Sequence, residues 1–353
     1  MVRKKTRQIS VGSVKIGGDA PISIQSMTKT DTRDVRRTIH QIRRLEEAGC
    51  DIVRVAVVDE EAARAIGRIK RRIRIPLIAD IHFHAHLALK ALAWGADGLR
   101  INPGNIGGRE KLKQIVLEAK KREVPIRIGV NSGSIEKTFL ERFGGPTAEA
   151  MVESALQTLA WMEDLGFCQI KVSLKASDVP RTVEAYRCFS RRSDYPLHVG
   201  VTEAGMGRGA IVKSAVGIGI LLSEGIGDTL RVSLTGDPVE EVRVGCEILQ
   251  ALKIRRRGVE IVSCPTCGRC EVNLVPLVKQ LEKAVERVSS PMTVAIMGCV
   301  VNGPGEAREA DVGIAAGRGA GVLFKKGRVI RTVSEKEFVS ALLREIETLV
   351  SRS

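Results

Sequence analysis

Cys264 and Cys267 are separated by two residues in sequence, and a lone Cys299 precedes Glu306. Three thiolates and one carboxylate, set among Gly and Pro, read as an iron–sulfur site with one replaceable ligand. A cluster held by thiolates alone mainly carries electrons. An iron held by a weaker oxygen ligand can exchange that ligand for an oxygen of a bound substrate. The Cys-x-x-Cys pair by itself also fits a zinc ribbon or a redox dithiol. A ribbon needs a second, separate pair further along, which the chain lacks, and the surrounding pattern is not thioredoxin-like. Cys270 is an alternative to Glu306 as fourth ligand and would make the site all-thiolate.

A second group of reactive residues lies earlier in the chain. Strand residues two apart share a face. Asp80 and His82 form such a pair, as do Arg100 and Asn102, and Arg231 and Ser233. Arg127 and Asn131 are four apart, and Lys171, Ser173 and Lys175 are in phase. Arg54 lies in an apolar run, and Glu203 just follows another. Burying so many cations without counter-ions costs several kcal/mol per ion. A ligand with several negative charges resolves that conflict, and the planar fork of Arg suits phosphate. The expected ligand therefore carries phosphate or diphosphate. Internal Arg–carboxylate pairing would need more acids than Asp80 and Glu203. The run His82-Phe83-His84-Ala85-His86 has no acid to complete a zinc site. His82 beside Asp80 reads instead as an oriented polar group or proton relay.

These residues need a scaffold with many parallel strands. Short β-branched runs are expected as strands at Ile22–Gln25, Ile52–Val57, Leu77–Ile81, Gly98–Ile101, Ile126–Val130, Ile170–Leu174, Leu197–Val201 and Thr229–Leu234. Amphipathic segments are expected as helices at Val35–Ala48, Glu60–Arg71, Leu87–Trp94, Glu110–Arg122, Thr147–Leu165, Val179–Arg192, Ile211–Glu224 and Val239–Leu252. Eight βα units in about 250 residues predict a (β/α)8 TIM barrel, whose sites lie at the carboxyl ends of its strands. A doubly wound sheet is the alternative, but no glycine fingerprint follows the first strand. Residues 1–256 form this domain, preceded by a hairpin over Ile9–Ile16. Residues 257–353 form a small α/β domain with strands at Val259–Val262, Thr293–Met297, Val312–Ile314, Gly321–Phe324 and Arg328–Thr332. Its helices are expected at Leu274–Val288 and Glu335–Leu349.

The chain has 353 residues and a net charge of +15, with only 3% aromatic residues. Stacking platforms for single-stranded nucleic acid are scarce. The charge points to an anionic substrate and an acidic protein partner rather than nucleic acid or membrane. The basic start has no apolar stretch behind it. The longest apolar run, Ala215–Leu222, is too short to span a bilayer. A cytoplasmic location is expected, where cysteines stay reduced. Cys50, Cys168, Cys188 and Cys246 are expected as small buried residues.

Several long stretches carry a family resemblance: Ile24-Gln-Ser-Met27, Asp80-Ile-His-Phe83, Arg100-Ile-Asn-Pro-Gly-Asn105, Arg127-Ile-Gly-Val-Asn131, Val201-Thr-Glu-Ala-Gly205, Ser263-Cys-Pro-Thr-Cys267 and Gly298-Cys-Val-Val-Asn302. Through nearly its whole length the chain resembles the bacterial two-domain 4-hydroxy-3-methylbut-2-enyl diphosphate synthase family. The resemblance implies a barrel plus a [4Fe-4S] domain, with Cys264, Cys267, Cys299 and Glu306 as ligands and Cys270 not among them. It implies 2-C-methyl-D-erythritol 2,4-cyclodiphosphate as substrate. Arg54, Arg100, Arg127 and Lys175 would hold the diphosphate, assisted by Asn102, Asn131, Arg231 and Ser233. The ring would open and lose a hydroxyl with two electrons from ferredoxin or flavodoxin. Glu203 would be the proton donor, with Asp80 and His82 behind it. The resemblance also implies a homodimer with a shared active site.

Overall fold

The structure is a computed structural model that describes residues 2–286, 288–299 and 307–351. The expected ligand Glu306 and the family residue Asn302 lie outside the described residues. The chain divides into two compact units, Met1–Arg255 and Arg256–Ser353.

The first unit opens with an antiparallel hairpin of β1 (Ile9–Val11) and β2 (Val14–Ile16). Eight parallel strands follow: β3 (Ser23–Met27), β4 (Ile52–Ala56), β5 (Leu77–Ile81), β6 (Gly98–Ile101), β7 (Ile126–Asn131), β8 (Ile170–Lys175), β9 (His198–Val199) and β10 (Thr229–Leu230). Their order is β8-β7-β6-β5-β4-β3-β10-β9, and a parallel bridge from Val172 to Leu197 nearly closes the ring between β8 and β9. This is the expected TIM barrel. Around it run α1 (Val35–Ala48), α2 (Glu60–Lys70), α3 (Ala85–Ala93), α4 (Arg109–Lys121), α5 (Lys137–Phe143), α6 (Ala148–Asp164), α7 (Val179–Arg192), α8 (Gly207–Ser223) and α9 (Pro238–Ala251).

Local chemistry starts these helices. Asp34, Asp59 and Asp178 each accept the backbone N–H three residues on, and Thr147 caps α6 in the same way. Pro near the start of α7 and α9 is compatible with N–H groups that lack intrahelical partners there. Ile9, Val11 and Ile16 of the hairpin pack on Ile52 and Ile78, which begin or lie early in their strands. The hairpin thus seals the amino-terminal end of the barrel and leaves the carboxyl end for function.

Two strands fall short of expectation. The seventh was expected over Leu197–Val201 and the eighth over Thr229–Leu234, yet each has only two residues of regular ladder. Gly200 interrupts the pairing at φ 156°. A Cβ there would lie 2.3 Å from the Arg231 carbonyl oxygen and 2.7 Å from Lys175 Nζ. Helix α5 was not expected. It is a seven-residue insertion between β7 and α6.

In the second unit the sheet order is β11 (Val259–Ser263), β12 (Met292–Met297), β13 (Val312–Ala316), β14 (Ala320–Lys325) and β15 (Arg328–Ser334). The first three strands are parallel and the last two pairings antiparallel. Helices α10 (Leu274–Val285) and α11 (Phe338–Val350) share an apolar core with the sheet through Leu281, Ile314 and Leu342. The terminal helix was expected from Glu335, but residues Glu335–Glu337 form a 3-10 turn capped by Ser334. Among the described residues, no helix is long and apolar enough to cross a membrane.

Candidate active site

The inward positions of the barrel strands change from apolar to charged toward their carboxyl ends. There they enclose a cavity of about 190 Å³. Five cations line it: Arg54, Arg100, Arg127, Lys175 and Arg231. Asp80 and His82 also reach it, and Asn131, Ser173, Thr202 and Ser233 add neutral polar groups. Strand register explains the crowding. Arg100 sits between Asp80 on β5 and Arg127 on β7, and Asn131 pairs with Lys175.

Asp80 is the main counter-charge. Its carboxylate lies 3.5 Å from Arg54 Nε, 3.3 Å from Arg100 Nη1 and 3.5 Å from His82 Nε2. Burial pushes its pKa up, but Arg54, the His82 hydrogen bond and Arg100 together hold it below the ordinary carboxylate range. Burial, reinforced by Arg231 and Arg100 and opposed by Asp80, brings the pKa of Arg54 down to about 9. Removing Asp80's charge strands two buried cations. Asp80→Asn is therefore expected to cost about 3–5 kcal/mol in denaturant unfolding. A carboxylate with a depressed folded-state pKa contributes fully above the ordinary carboxylate range. That contribution is lost only as pH falls through the folded value. The difference between wild type and Asp80→Asn should thus stay flat across neutral pH.

The expectation that Asp80 and Glu203 are the only acids here needs correction. Glu241, on α9, is 1% exposed. It lies 3.3 Å from Arg231 Nε, accepts Ser26 Oγ at 3.0 Å and the Leu234 N–H at 3.2 Å, and faces Lys29 Nζ at 3.3 Å. Strand phase could not reveal an acid that a helix contributes. Glu203 is instead exposed, in a left-handed conformation at φ 50° between β9 and α8. Such backbone in a non-glycine residue is uncommon and concentrates at functional sites.

Even with Glu241 the cations prevail. Arg127 Nε and Nη1 have no hydrogen-bond partner, nor does Lys171 Nζ, on the β8 residue that pairs in register with Arg127. Burial, then neighbouring cations, lowers the pKa of Arg127, Lys171 and Lys175 well below their usual ranges. His198 on β9 is also fully buried, with both ring nitrogens unpartnered. The sequence pattern gave no reason to single it out.

Asn102 is placed differently from the other expected binding residues. Its amide donates to Ser134 Oγ at 2.6 Å and accepts the Gly104 N–H at 3.1 Å. It ties the loop after β6 to the turn after β7. Of the four barrel cysteines expected to be buried, only Cys50 fully is. Cys50 is buried, Cys188 and Cys246 are half-buried, and Cys168 is exposed in the turn before β8.

In the second unit the remaining cysteines follow the carboxyl ends of two neighbouring parallel strands. Cys264 directly follows β11, and Cys299 lies two residues beyond β12. Ser263 pairs with Ile296 in register. The Gly298 N–H donates to Cys264 Sγ at 3.2 Å, and the Glu271 N–H to the Gly298 carbonyl at 2.9 Å. Gly298 has no room for a side chain, because a Cβ would lie 2.3 Å from Cys270 Sγ and 3.3 Å from Cys264 Sγ. Cys267 is exposed, and its thiol pKa is lowered first by the Arg269 backbone N–H and also by the Arg269 charge. Among the described residues, no three His, Cys, Asp or Glu side chains are gathered to hold a metal ion.

Comparison with known proteins finds two family domains in the chain. Residues 6–246 match the GcpE TIM-barrel domain, and residues 260–348 match the GcpE protein C-terminal domain. The chain is 60% identical over 350 residues to 4-hydroxy-3-methylbut-2-en-1-yl diphosphate synthase (flavodoxin) of Geobacter sulfurreducens, covering 99% of both chains. It is 59% identical to the protein so named in Thermodesulfovibrio yellowstonii, covering 98% of this chain and 99% of that one. Among solved structures, dihydropteroate synthase of Stenotrophomonas maltophilia aligns with TM-score 0.52 at 14% identity, covering 70% of this chain and 98% of that chain. A type I 3-dehydroquinate dehydratase of Clostridium difficile aligns with the same score at 17% identity and the same coverage. These two likenesses concern the barrel fold alone.

Proposed function

This chain belongs to the GcpE family, and on that premise we propose that it catalyses the reaction for which its relatives are named. In that reaction 2-C-methyl-D-erythritol 2,4-cyclodiphosphate is opened and dehydroxylated with two electrons, giving 4-hydroxy-3-methylbut-2-enyl diphosphate. The observation that carries the reading is the cavity with five cations and a single lining carboxylate. A doubly phosphorylated ring supplies the negative charge that this lining lacks.

Arg54, Arg100, Arg127 and Lys175 hold the diphosphate, with Arg231, Asn131 and Ser233 assisting. Asn102 assists from behind by fixing the loop after β6. Departure of a hydroxyl requires a proton. Asp80 remains ionised at neutral pH, so it orients Arg54, Arg100 and His82 rather than donating. Glu203, exposed beyond β9, is the proton donor in this reading.

Cys264, Cys267, Cys299 and Glu306 would hold a [4Fe-4S] cluster. The donor set suits one. Each iron of such a cluster takes its own protein ligand, so the thiols need not converge on a single ion. The Gly298 N–H directed at Cys264 Sγ suits a thiolate held in place as a ligand. When bound, the cluster supplies electrons singly and an iron whose oxygen ligand can be replaced. Flavodoxin is the electron donor, with ferredoxin as the alternative, and the net charge of +15 suits either acidic carrier. The enzyme works in the cytoplasm as a homodimer with a shared active site.

The test is anaerobic turnover. Protein purified without oxygen and given reduced flavodoxin should convert the cyclic diphosphate to the linear, dehydrated product. Recovery of unchanged substrate from iron-loaded protein contradicts the proposal.

A further inference from the structure

We infer that Met27 is a positioning residue for the anion site: its thioether sulfur accepts N–H groups from Arg54 and Arg231 and keeps both guanidiniums in place with their charge intact. The inference rests on the phosphate-binding reading of the barrel cavity and adds to it a residue that makes the cations usable.

Met27 is the last residue of β3 and pairs in register with Arg54 on β4. It is half-buried and lines the cavity. Its sulfur lies 3.2 Å from Arg54 Nε, 3.0 Å from Arg54 Nη2 and 3.8 Å from Arg231 Nη1. Two guanidiniums of like charge therefore share one neutral acceptor. Each also touches one carboxylate, Asp80 for Arg54 and Glu241 for Arg231.

The choice of acceptor matters. A thioether is polarizable but only a weak hydrogen-bond acceptor. It can orient an N–H without competing against phosphate oxygens, which form the stronger charge-assisted bonds. A carboxylate at this position would satisfy both guanidiniums and compete with an anionic ligand for them. A purely aliphatic side chain would fill the space but leave the guanidiniums without this acceptor.

The experiment titrates inorganic pyrophosphate into the full chain at fixed ionic strength, followed by calorimetry, with thermal melting of each variant. If the wild type fails to bind, the phosphate-binding reading of the cavity fails, whatever Met27 does. Given wild-type binding, Met27→Leu should weaken affinity roughly tenfold, equivalent to about one charge-assisted hydrogen bond. Met27→Gln, which restores a neutral acceptor, should stay within about threefold of wild type, whereas Met27→Glu should lose about a hundredfold or more. Met27→Glu should also melt at a higher temperature than wild type, because it neutralises buried cations. Leucine binding as tightly as methionine overturns the inference. So does glutamine as weak as leucine, or glutamate with affinity intact. Should Met27→Leu fail to fold, the glutamine and glutamate variants decide, and equal affinity between them overturns it.

Discussion

Arg127→Met is expected to weaken binding of the cyclic diphosphate by about a hundredfold or more while making the ligand-free protein more resistant to heat. Both effects have one cause. Arg127 is 2% exposed, and two of its nitrogens have no partner in the protein. Its neighbours Arg54 and Arg100 are occupied by Asp80, so its loss strands no carboxylate. Exchanging a buried charge for an apolar side chain of similar length is often neutral or stabilising, by as much as about 1–4 kcal/mol. For a domain of this size each kcal/mol corresponds to about 2–4 °C. In the complex the same guanidinium offers two parallel bonds to phosphate, each worth about 1.5–3 kcal/mol when charged. Calorimetric binding and thermal melting measure the two effects. Lys171→Met serves as the internal control. It should give a similar gain in stability with a smaller loss of affinity, because Lys171 does not line the cavity. A variant at Arg127 that binds normally, or that melts well below wild type with all else intact, would show that the cation is paired and structural.

Cys299→Ser should leave anaerobically purified protein without stable iron, whereas Cys270→Ser should keep about four iron and four sulfide per chain. Cys299 supplies the thiol after β12, the neighbour in the sheet of β11, which Cys264 and Cys267 follow. Cys270 has another role in the fold. Its thiol packs against Gly298 and the apolar core, and it donates to the Val272 carbonyl at 3.2 Å. Serine can keep that hydrogen bond but cannot replace a soft thiolate ligand well. Iron and sulfide analysis with visible absorption measures the outcome. A Cys270→Ser protein that emerges colourless while Cys299→Ser keeps its iron would reverse the ligand assignment. Glu306→Ala separates a catalytic centre from a structural one: iron retained with turnover severely reduced is the expected result.

Much of the barrel was legible because most of its parallel strands are short apolar runs between an amphipathic helix and a turn. What escaped had physical reasons. The sequence overstates the length of β9 and β10 because Val201 and Val232 continue the apolar alternation, while Gly200 lets the backbone close on Arg231 and ends the ladder. Helix α5 is too short to show a full amphipathic period. The cations of the cavity were visible by their phase along the strands. Glu241 was not, because from sequence it stands beside the exposed Glu240 as an ordinary helix-start acid. Met27 gave no signal as a methionine at a strand end. Only the distances to Arg54 and Arg231 distinguish it from core filling.

We propose, as the central claim, that this protein binds a diphosphate ring in its cationic barrel cavity and carries an iron–sulfur centre that responds to the bound ring. The most direct measurement is the electron paramagnetic resonance spectrum of the reduced, iron-loaded protein, recorded before and after addition of the cyclic diphosphate. A new signal that appears with wild type and is absent with Arg127→Met is the predicted result. A spectrum that ignores saturating substrate, in protein whose iron content is complete, would contradict the account.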